Sequence, residues 1–249
     1  MSTMTILSPD TRVPVGMYRD LRAWLLANDP DAKEMLDWSS DTLKPPATPE
    51  DMAGEIIWII LCAGRSAQAA RTIERKVLEA IFAGRPVVEA FGYGAKAAAI
   101  ERAWRDRELD FATLQDVLGT GIPERLVEWC GSIPFIGDDT QFQLAKNFGA
   151  DVCKPDIWLC RLTGIADKPR RAVKFRFPAC MALCRPLAEA TGDRIAAVDS
   201  MLWLACNKGV LVVDSGAGPV RFVPKNITAR SIYAVADDVV ALKIEGKSA

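Results

Sequence analysis

The stretch of sequence that decides the fold runs from Leu126 to Leu162 and reads LVEWCGSIPFIGDDTQFQLAKNFGADVCKPDIWLCRL. Apolar residues recur in it with helical spacing, and the block from Thr140 to Phe148 is bounded by acidic residues and glycine. The segment Ile133–Gly137, with the sequence IPFIG, precedes this block and predicts a tight hairpin between two helices. A second loop precedes another short helix, which is predicted to begin near Asp156.

A tight turn beside a helix N-terminus leaves backbone N–H groups without partners inside the helix. Such groups, together with the helix dipole, favour the binding of a phosphate without reading base sequence. Asp156 has two readings at the start of its helix. It is either a structural N-cap that accepts hydrogen bonds from the first amides, or a site carboxylate. The two roles are compatible if one oxygen caps the helix and the other remains available.

This order of segments resembles the helix–hairpin–helix DNA glycosylase superfamily, in which a Leu-Pro-Gly-Val-Gly hairpin precedes a helix and a loop bearing an aspartate. Two upstream segments extend the resemblance: Ile59–Thr72 (IILCAGRSAQAART) and Phe91–Ile100 (FGYGAKAAAI). The match covers roughly residues 50 to 206. It implies a mainly α fold, namely a two-lobed helical bundle with a helix–hairpin–helix motif, followed by a short C-terminal segment with β-strands.

The resemblance implies a monofunctional DNA N-glycosylase of base-excision repair. Such an enzyme binds duplex DNA with a damaged or mismatched base in the minor groove, flips that base into a cleft between two helical lobes, and hydrolyses its N-glycosidic bond. Asp156 is the implied catalytic carboxylate, which stabilises an oxocarbenium-like state or orients water. Asp139 stands where bifunctional members carry a Schiff-base lysine, so no lyase activity through that lysine is expected.

The alternative is a non-catalytic protein that keeps this helical scaffold and binds DNA or a protein partner. It is favoured by the missing lysine and by Asp138 and Asp139, whose charges oppose a phosphate at the hairpin. Phe135 also stands where the family has its first hairpin glycine, so the turn is expected to differ.

The resemblance also implies the residues that contact DNA. These are the hairpin, the turn after the early helix, the glycine turn and the loop before Asp156: Pro134, Phe135, Ile136, Gly137, Arg65, Ser66, Tyr93, Lys96 and Lys154. Gln68 is a further candidate in the early turn, and Lys154 is either a phosphate contact or a solvated side chain. Trp38 and Trp158 are the candidates for the wall of a base pocket, because aromatic rings stack on flipped bases.

The segment Arg161–Arg176 carries six basic residues and one acid, Asp167, in a chain whose net charge is −1. It is either a solvated face or a strip that follows DNA phosphates. The basic residues are Arg161, Lys168, Arg170, Arg171, Lys174 and Arg176.

The composition excludes several kinds of site. The chain has no histidine, which removes Ser-His-Asp and Cys-His catalysis and any histidine-ligated metal. Seven cysteines without a secretory signal are expected to be reduced thiols. Cys153, Cys160, Cys180 and Cys184 do not reproduce the spacing of the family's iron–sulfur cluster. We therefore expect no metal and no cofactor, with a monovalent cation at the hairpin as the one exception.

Three segments are predicted along the chain. Residues 1–49 form an N-terminal helix and a polar linker, residues 50–207 the glycosylase-like domain, and residues 208–249 an extension with short strands near 209–214 and 220–223. Thr48-Pro49 predicts a helix start. With no long apolar run and no signal sequence, we expect a monomer without membrane contact, located in the cytoplasm and associated with the nucleoid if it binds DNA.

Overall fold

The structure is a computed structural model, and it describes residues 12–65, 67–165, 172–213 and 218–227. These ranges contain twelve α-helices, one π-helical turn and a two-stranded sheet, so the predicted mainly α fold with short C-terminal strands is confirmed. Several predicted features lie outside the described residues: Ser66, the centre of the basic segment (Lys168, Arg170 and Arg171), and residues 228–249.

The described residues divide into two compact units. The first consists of residues 12–43 and 151–227, and the second of residues 44–150. This division differs from the three predicted segments because helices from both ends of the chain pack on the same buried helix near the C-terminus.

The first unit is built around α12 (Ile195–Asn207), a helix whose residues are nearly all buried. The elements that contact it are α1 (Val15–Asn28), α2 (Ala32–Asp37), the π-helical turn Trp38–Thr42, α10 (Ile157–Leu162), α11 (Val173–Thr191) and β1 (Leu211–Val213). Strand β1 pairs antiparallel with β2 (Val220–Phe222), with Val212 opposite Arg221.

The second unit is centred on α3 (Pro49–Cys62), whose residues Ile56, Ile57 and Ile60 are fully buried. The other helices are α4 (Ala67–Phe82), α5 (Val87–Phe91), α6 (Gly94–Arg105), α7 (Arg107–Gly119), α8 (Pro123–Ser132) and α9 (Thr140–Asn147). The predicted start of α3 is confirmed, because the Thr48 hydroxyl accepts a hydrogen bond from the Asp51 amide at 3.0 Å.

The predicted polar linker between Asp37 and Glu50 is partly wrong. Its first residues form the π-helical turn, in which Ser39 is fully buried and donates a hydrogen bond to the Ser200 hydroxyl at 2.9 Å. Serine and threonine have weak helix propensity, but packing on α12 offsets that local preference.

Proline favours the first turn of a helix, but in α11 it lies at internal positions. Pro178 and Pro186 are both internal, and each removes one backbone hydrogen bond. Helix packing in the first unit maintains α11 despite this loss. Among the described residues, no helix combines the length and apolar character needed to cross a bilayer.

Candidate functional site

Asp156 is the N-cap of α10, and only one of its carboxylate oxygens serves the cap. Oδ1 accepts hydrogen bonds from the amides of Trp158 at 2.9 Å and Leu159 at 3.2 Å. Within the described part of the chain, Oδ2 accepts no hydrogen bond. The residue is partly exposed, so its side chain is not sealed in the interior. The arrangement therefore leaves one oxygen available for other chemistry.

The pKa of the Asp156 carboxyl is raised above its usual range. The main cause is burial, which disfavours the charged form, and the second is the negative charge of Asp199. Lys154 and the two capping amides act in the opposite direction. Asp156 therefore takes up a proton at a higher pH than an ordinary aspartate.

Two buried side chains fix the loop that precedes Asp156. The Asp199 carboxylate on α12 accepts a hydrogen bond from the Lys154 amide at 2.9 Å. The Arg176 guanidinium on α11 donates to the Pro155 carbonyl. Asp199 and Arg176 are each 3% exposed, so these contacts are shielded from water. The backbone that places the Asp156 carboxylate is thus held by two other helices of the same unit.

Neither Asp199 nor the buried position of Arg176 was predicted. Asp199 gave a signal, because it is the only charged residue of the apolar segment IAAVDSMLWLACN. A charge in such a segment usually has a buried partner. Nothing in the sequence indicated that Arg176 is buried, since it lies in a run of basic residues.

The predicted basic strip is therefore only partly a surface. Arg176 is buried at the Pro155 carbonyl and is unavailable to DNA, which corrects its assignment to the strip. Lys174 is exposed, with its ammonium 5.1 Å from the ring centre of Phe175. The Arg161 guanidinium lies 5.4 Å from the centre of the Trp158 ring.

The two predicted pocket aromatics are both half-buried in the first unit. Trp158 follows Asp156 by two residues on α10, whereas Trp38 lies in the π-helical turn. No ring contact joins the two tryptophans in the part of the chain that the structure describes. A shared base-stacking wall therefore stays a prediction, supported by position for Trp158 alone.

The turn that joins α8 and α9 does not present the predicted row of free amides. Pro134 has no N–H, the Ile136 amide donates to the Ile133 carbonyl at 3.0 Å, and the Gly137 amide donates to the Thr140 hydroxyl at 2.7 Å. Ile136 is also buried. Of residues 134–137, only Phe135 retains an amide that donates no hydrogen bond among the described residues. The amides of Ile136 and Gly137 are therefore engaged within the turn, and a phosphate site along this backbone stays a prediction.

Phe135 adopts a left-handed backbone conformation, which favours glycine. Its φ is +66°, and it is the only non-glycine residue with a positive φ in the described residues. A bulky side chain is strained in this region, because its Cβ approaches the neighbouring backbone. The turn thus places a bulky residue in a conformation that suits glycine.

We expect Phe135→Gly to be more stable than Phe135→Ala by about 1 kcal/mol, because only alanine retains the strained Cβ. Both variants lose the aromatic ring, so the difference between their stabilities reports the strain caused by a Cβ in this backbone conformation. Urea denaturation of the two proteins measures the difference. A more stable alanine variant would contradict the strained turn.

Tyr93 and Phe135 meet on the surface of the second unit. Their rings pack edge to face, with centroids 6.3 Å apart at 84°, and they are 50% and 42% exposed. The Arg65 guanidinium lies 4.9 Å from the ring centre of Phe91, two residues before Tyr93. We call Arg65, Phe91, Tyr93 and Phe135 the aromatic surface. It unites residues from all three segments of the family resemblance in this unit.

Lys96, a predicted DNA contact, instead caps a helix. Its ammonium is buried and donates to the carbonyls of Ile60 at 3.0 Å and Ala63 at 2.9 Å, at the C-terminal end of α3. Burial lowers the pKa of Lys96, and the nearby charge of Arg65 lowers it further. The side chain stabilises unpaired carbonyls at the negative end of the helix dipole and is not presented to DNA.

The described residues contain no group of three or more cysteine and acidic side chains arranged to hold a metal ion. At the hairpin, the carbonyls of Ile133 and Gly137 accept hydrogen bonds from the chain, and the expected monovalent cation there stays a prediction. No family model, curated protein or solved structure matches this chain.

Proposed function

We propose that this chain is a monofunctional DNA N-glycosylase in which Asp156 is the catalytic carboxylate. One observation carries the proposal, namely that the two oxygens of this carboxylate have different roles. Oδ1 caps α10, and Oδ2 accepts no hydrogen bond from the described residues. The loop before it is fixed by Asp199 and Arg176, so the carboxylate is placed before any substrate arrives.

The chemistry needs only this group and water. The bond between the sugar C1′ and the base nitrogen breaks, and its electron pair leaves with the base, which takes a proton from solvent. Ionised Asp156 stabilises the positive charge that develops on the sugar. A water molecule then adds to C1′ and gives its proton to the carboxylate. The base must first leave the duplex, because C1′ is inaccessible to this attack inside the stack.

The aromatic surface supports DNA as the substrate. Exposed Tyr93 and Phe135 offer rings on which bases stack, and Arg65 adds a positive charge beside Phe91. Lys96 is not part of this proposal, since its ammonium is bonded to the end of α3.

Excision of a base from duplex DNA is the direct test. The purified chain is incubated with duplexes that each carry one alkylated, oxidised or deaminated base. Alkali then converts every abasic site into a strand break. We expect breaks at the position of at least one lesion, in the strand that carries it, after alkali and none before it, because Asp139 replaces the lyase lysine. Breaks without alkali would contradict a monofunctional enzyme.

The pH dependence of excision follows from the raised pKa of Asp156. The carboxylate must be ionised to act, so the rate should rise with pH and reach its half-maximum above about 3.9, the usual aspartate value. Asp199→Asn removes the second cause of the shift but keeps an acceptor for the Lys154 amide. We expect this variant to reach half-maximum at a lower pH.

Asp20→Asn is the matched control for this profile, because Asp20 is an exposed acid in the same unit. It should leave the half-maximum where the parent protein has it. If the half-maximum of excision stayed at the same pH in Asp199→Asn, Asp199 would not influence the ionisation of Asp156.

A second function is favoured by the engaged amides of the hairpin. With Ile136 and Gly137 bonded inside the turn, and Asp138 and Asp139 beside them, the hairpin is poorly suited to hold a phosphate. In this version the chain binds DNA through the aromatic surface without releasing a base. DNA affinity that falls as salt rises, with no abasic product from the whole lesion panel, would favour it.

A further inference from the structure

The edge-to-face pair of Tyr93 and Phe135 leaves aromatic faces open to solvent. Their ring planes meet at 84°, so the ring that presents its edge keeps both of its faces clear of its partner. Both residues are exposed, and neither makes a further ring or cation contact among the described residues. The pair therefore offers a free π face to a planar ligand.

The ring of Phe135 is carried outward by a turn with internal hydrogen bonds. The Ile136 amide donates to the Ile133 carbonyl at 3.0 Å, and the Gly137 amide donates to the Thr140 hydroxyl at 2.7 Å. The positive φ of Phe135 is strained for a bulky side chain, and strained residues cluster at sites of ligand binding. A large apolar ring that is both strained and exposed is expected where that ring contacts a ligand.

A second exposed aromatic pair in the same unit lacks these features. Phe82 packs edge to face on Trp104, with ring centroids 5.6 Å apart. The Arg107 guanidinium lies 4.6 Å from the centre of the Trp104 ring, and its charge is compensated by Glu50 at 2.8 Å. Arg65, beside the aromatic surface, forms no ion pair among the described residues. Open rings next to an uncompensated positive charge suit a nucleobase and its phosphate.

We propose that the aromatic surface selects DNA in which a base is already unpaired, and that Phe135 determines this selectivity by stacking on that base. This selectivity rests on the proposed function only in taking DNA as the partner. Stacking of one base on an aromatic side chain raises affinity by roughly 5- to 150-fold. Taking a paired base out of a duplex costs free energy of the same order, whereas an unpaired base costs less. An unpaired base therefore keeps a gain that a paired base loses.

The hairpin contributes little phosphate binding that could offset the cost of unpairing. The amides of Ile136 and Gly137 are bonded within the turn, and the exposed Asp138 adds negative charge beside them. The net charge of the whole chain is −1, so its general attraction to phosphates is weak. The free energy needed to expose a base should therefore dominate the choice of DNA.

Fluorescence anisotropy with the full chain measures this selectivity. The probes are two fluorescein-labelled duplexes, one fully paired and one with the same sequence plus a single unpaired adenine, and neither carries a damaged base. We expect the duplex with the unpaired adenine to bind at least about 5-fold more tightly. Equal affinity for the two duplexes, or no binding to either at low salt, would overturn the proposal.

Three leucine variants test whether the rings are responsible. Phe135→Leu keeps the strained Cβ but removes the ring, so it should lose most of the preference for the unpaired adenine. Tyr93→Leu should reduce the preference as well, and it carries the comparison if Phe135→Leu does not fold. Phe82→Leu is the matched control on the other exposed pair and should retain the preference. Equal losses in Phe82→Leu and Phe135→Leu would refute the role of the aromatic surface.

Failure of this selectivity and failure of the proposed function give different results, because the two binding probes carry no lesion. Preferential binding of the unpaired adenine, with no abasic product from the lesion panel, would refute the glycosylase and support the selectivity. Base excision by a chain that binds both duplexes equally would refute the selectivity alone.

Discussion

An Asp156→Asn variant is expected to excise bases at least about 100-fold more slowly than the parent chain, because it lacks the negative charge that faces the developing cation. Its fold should survive. Asparagine is as good an N-cap as aspartate, and its oxygen can accept the hydrogen bonds of Trp158 and Leu159. Single-turnover excision and urea denaturation measure the two properties separately.

Asp156→Ala provides the matched comparison for the cap. Alanine offers no acceptor to the first amides of α10, so this variant should lose about 1 kcal/mol of stability as well as activity. Full excision by Asp156→Asn would remove Asp156 from the mechanism. Equal stability losses in both variants would show that the charge itself contributes to the fold.

The stability of the asparagine variant should also depend on pH. The folded pKa of Asp156 lies above the unfolded value, so its stabilising contribution is complete below the unfolded pKa and is lost as the pH rises through the folded pKa. Asparagine does not titrate. The stability of Asp156→Asn relative to the parent chain should therefore increase across this window, starting at about pH 3.9.

Replacement of Arg176 by methionine should produce the largest loss of stability near the site. Methionine fills much of the same space, but it leaves the buried Pro155 carbonyl without its charged donor. The Cys160 thiol, 3.5 Å from the same oxygen, is only a weak donor, and the loss of the charged hydrogen bond costs about 2–3 kcal/mol. We expect this decrease in the free energy of unfolding, measured with urea, together with slower excision, because the loop that carries Asp156 loses a support.

Lys174→Met is the control for this experiment. Lys174 lies on the same helix two residues away, but it is exposed, so the change should alter stability by less than about 0.5 kcal/mol. A similar loss in both variants would indicate that charge on α11, and not the buried hydrogen bond, determines the effect.

The positions of the main helices were predictable because their signals are local. The cap at Thr48, the glycines that end helices and the apolar spacing all act within a few residues of one another. The same applies to Asp156, whose position after a proline and before an apolar helix predicted the observed cap. The π-helical turn after α2 was missed because its polar residues are stabilised by distant contacts, such as that of Ser39 with Ser200.

The roles of the charged residues were far less predictable. Lys96 is in a segment suited to DNA contact, yet its ammonium is bonded to carbonyls more than thirty residues earlier in the chain. Arg176 belongs to a basic run, yet its guanidinium is buried. It donates to the carbonyl of Pro155, which lies twenty-one residues earlier in the chain. Long side chains reach partners that no local pattern specifies.

The sequence by itself determined a mainly helical chain, the start of the helix at Asp156 and the absence of any imidazole chemistry. Helix periodicity, capping and residue inventory are properties of short windows or of composition. The tertiary structure alone decided which polar groups form hydrogen bonds inside the protein and which stay available. The amides of Ile136 and Gly137 and the ammonium of Lys96 form internal hydrogen bonds, whereas one oxygen of Asp156 does not. That outcome depends on burial and on partners distant in sequence, because a polar group removed from water must find a hydrogen bond wherever the fold provides one.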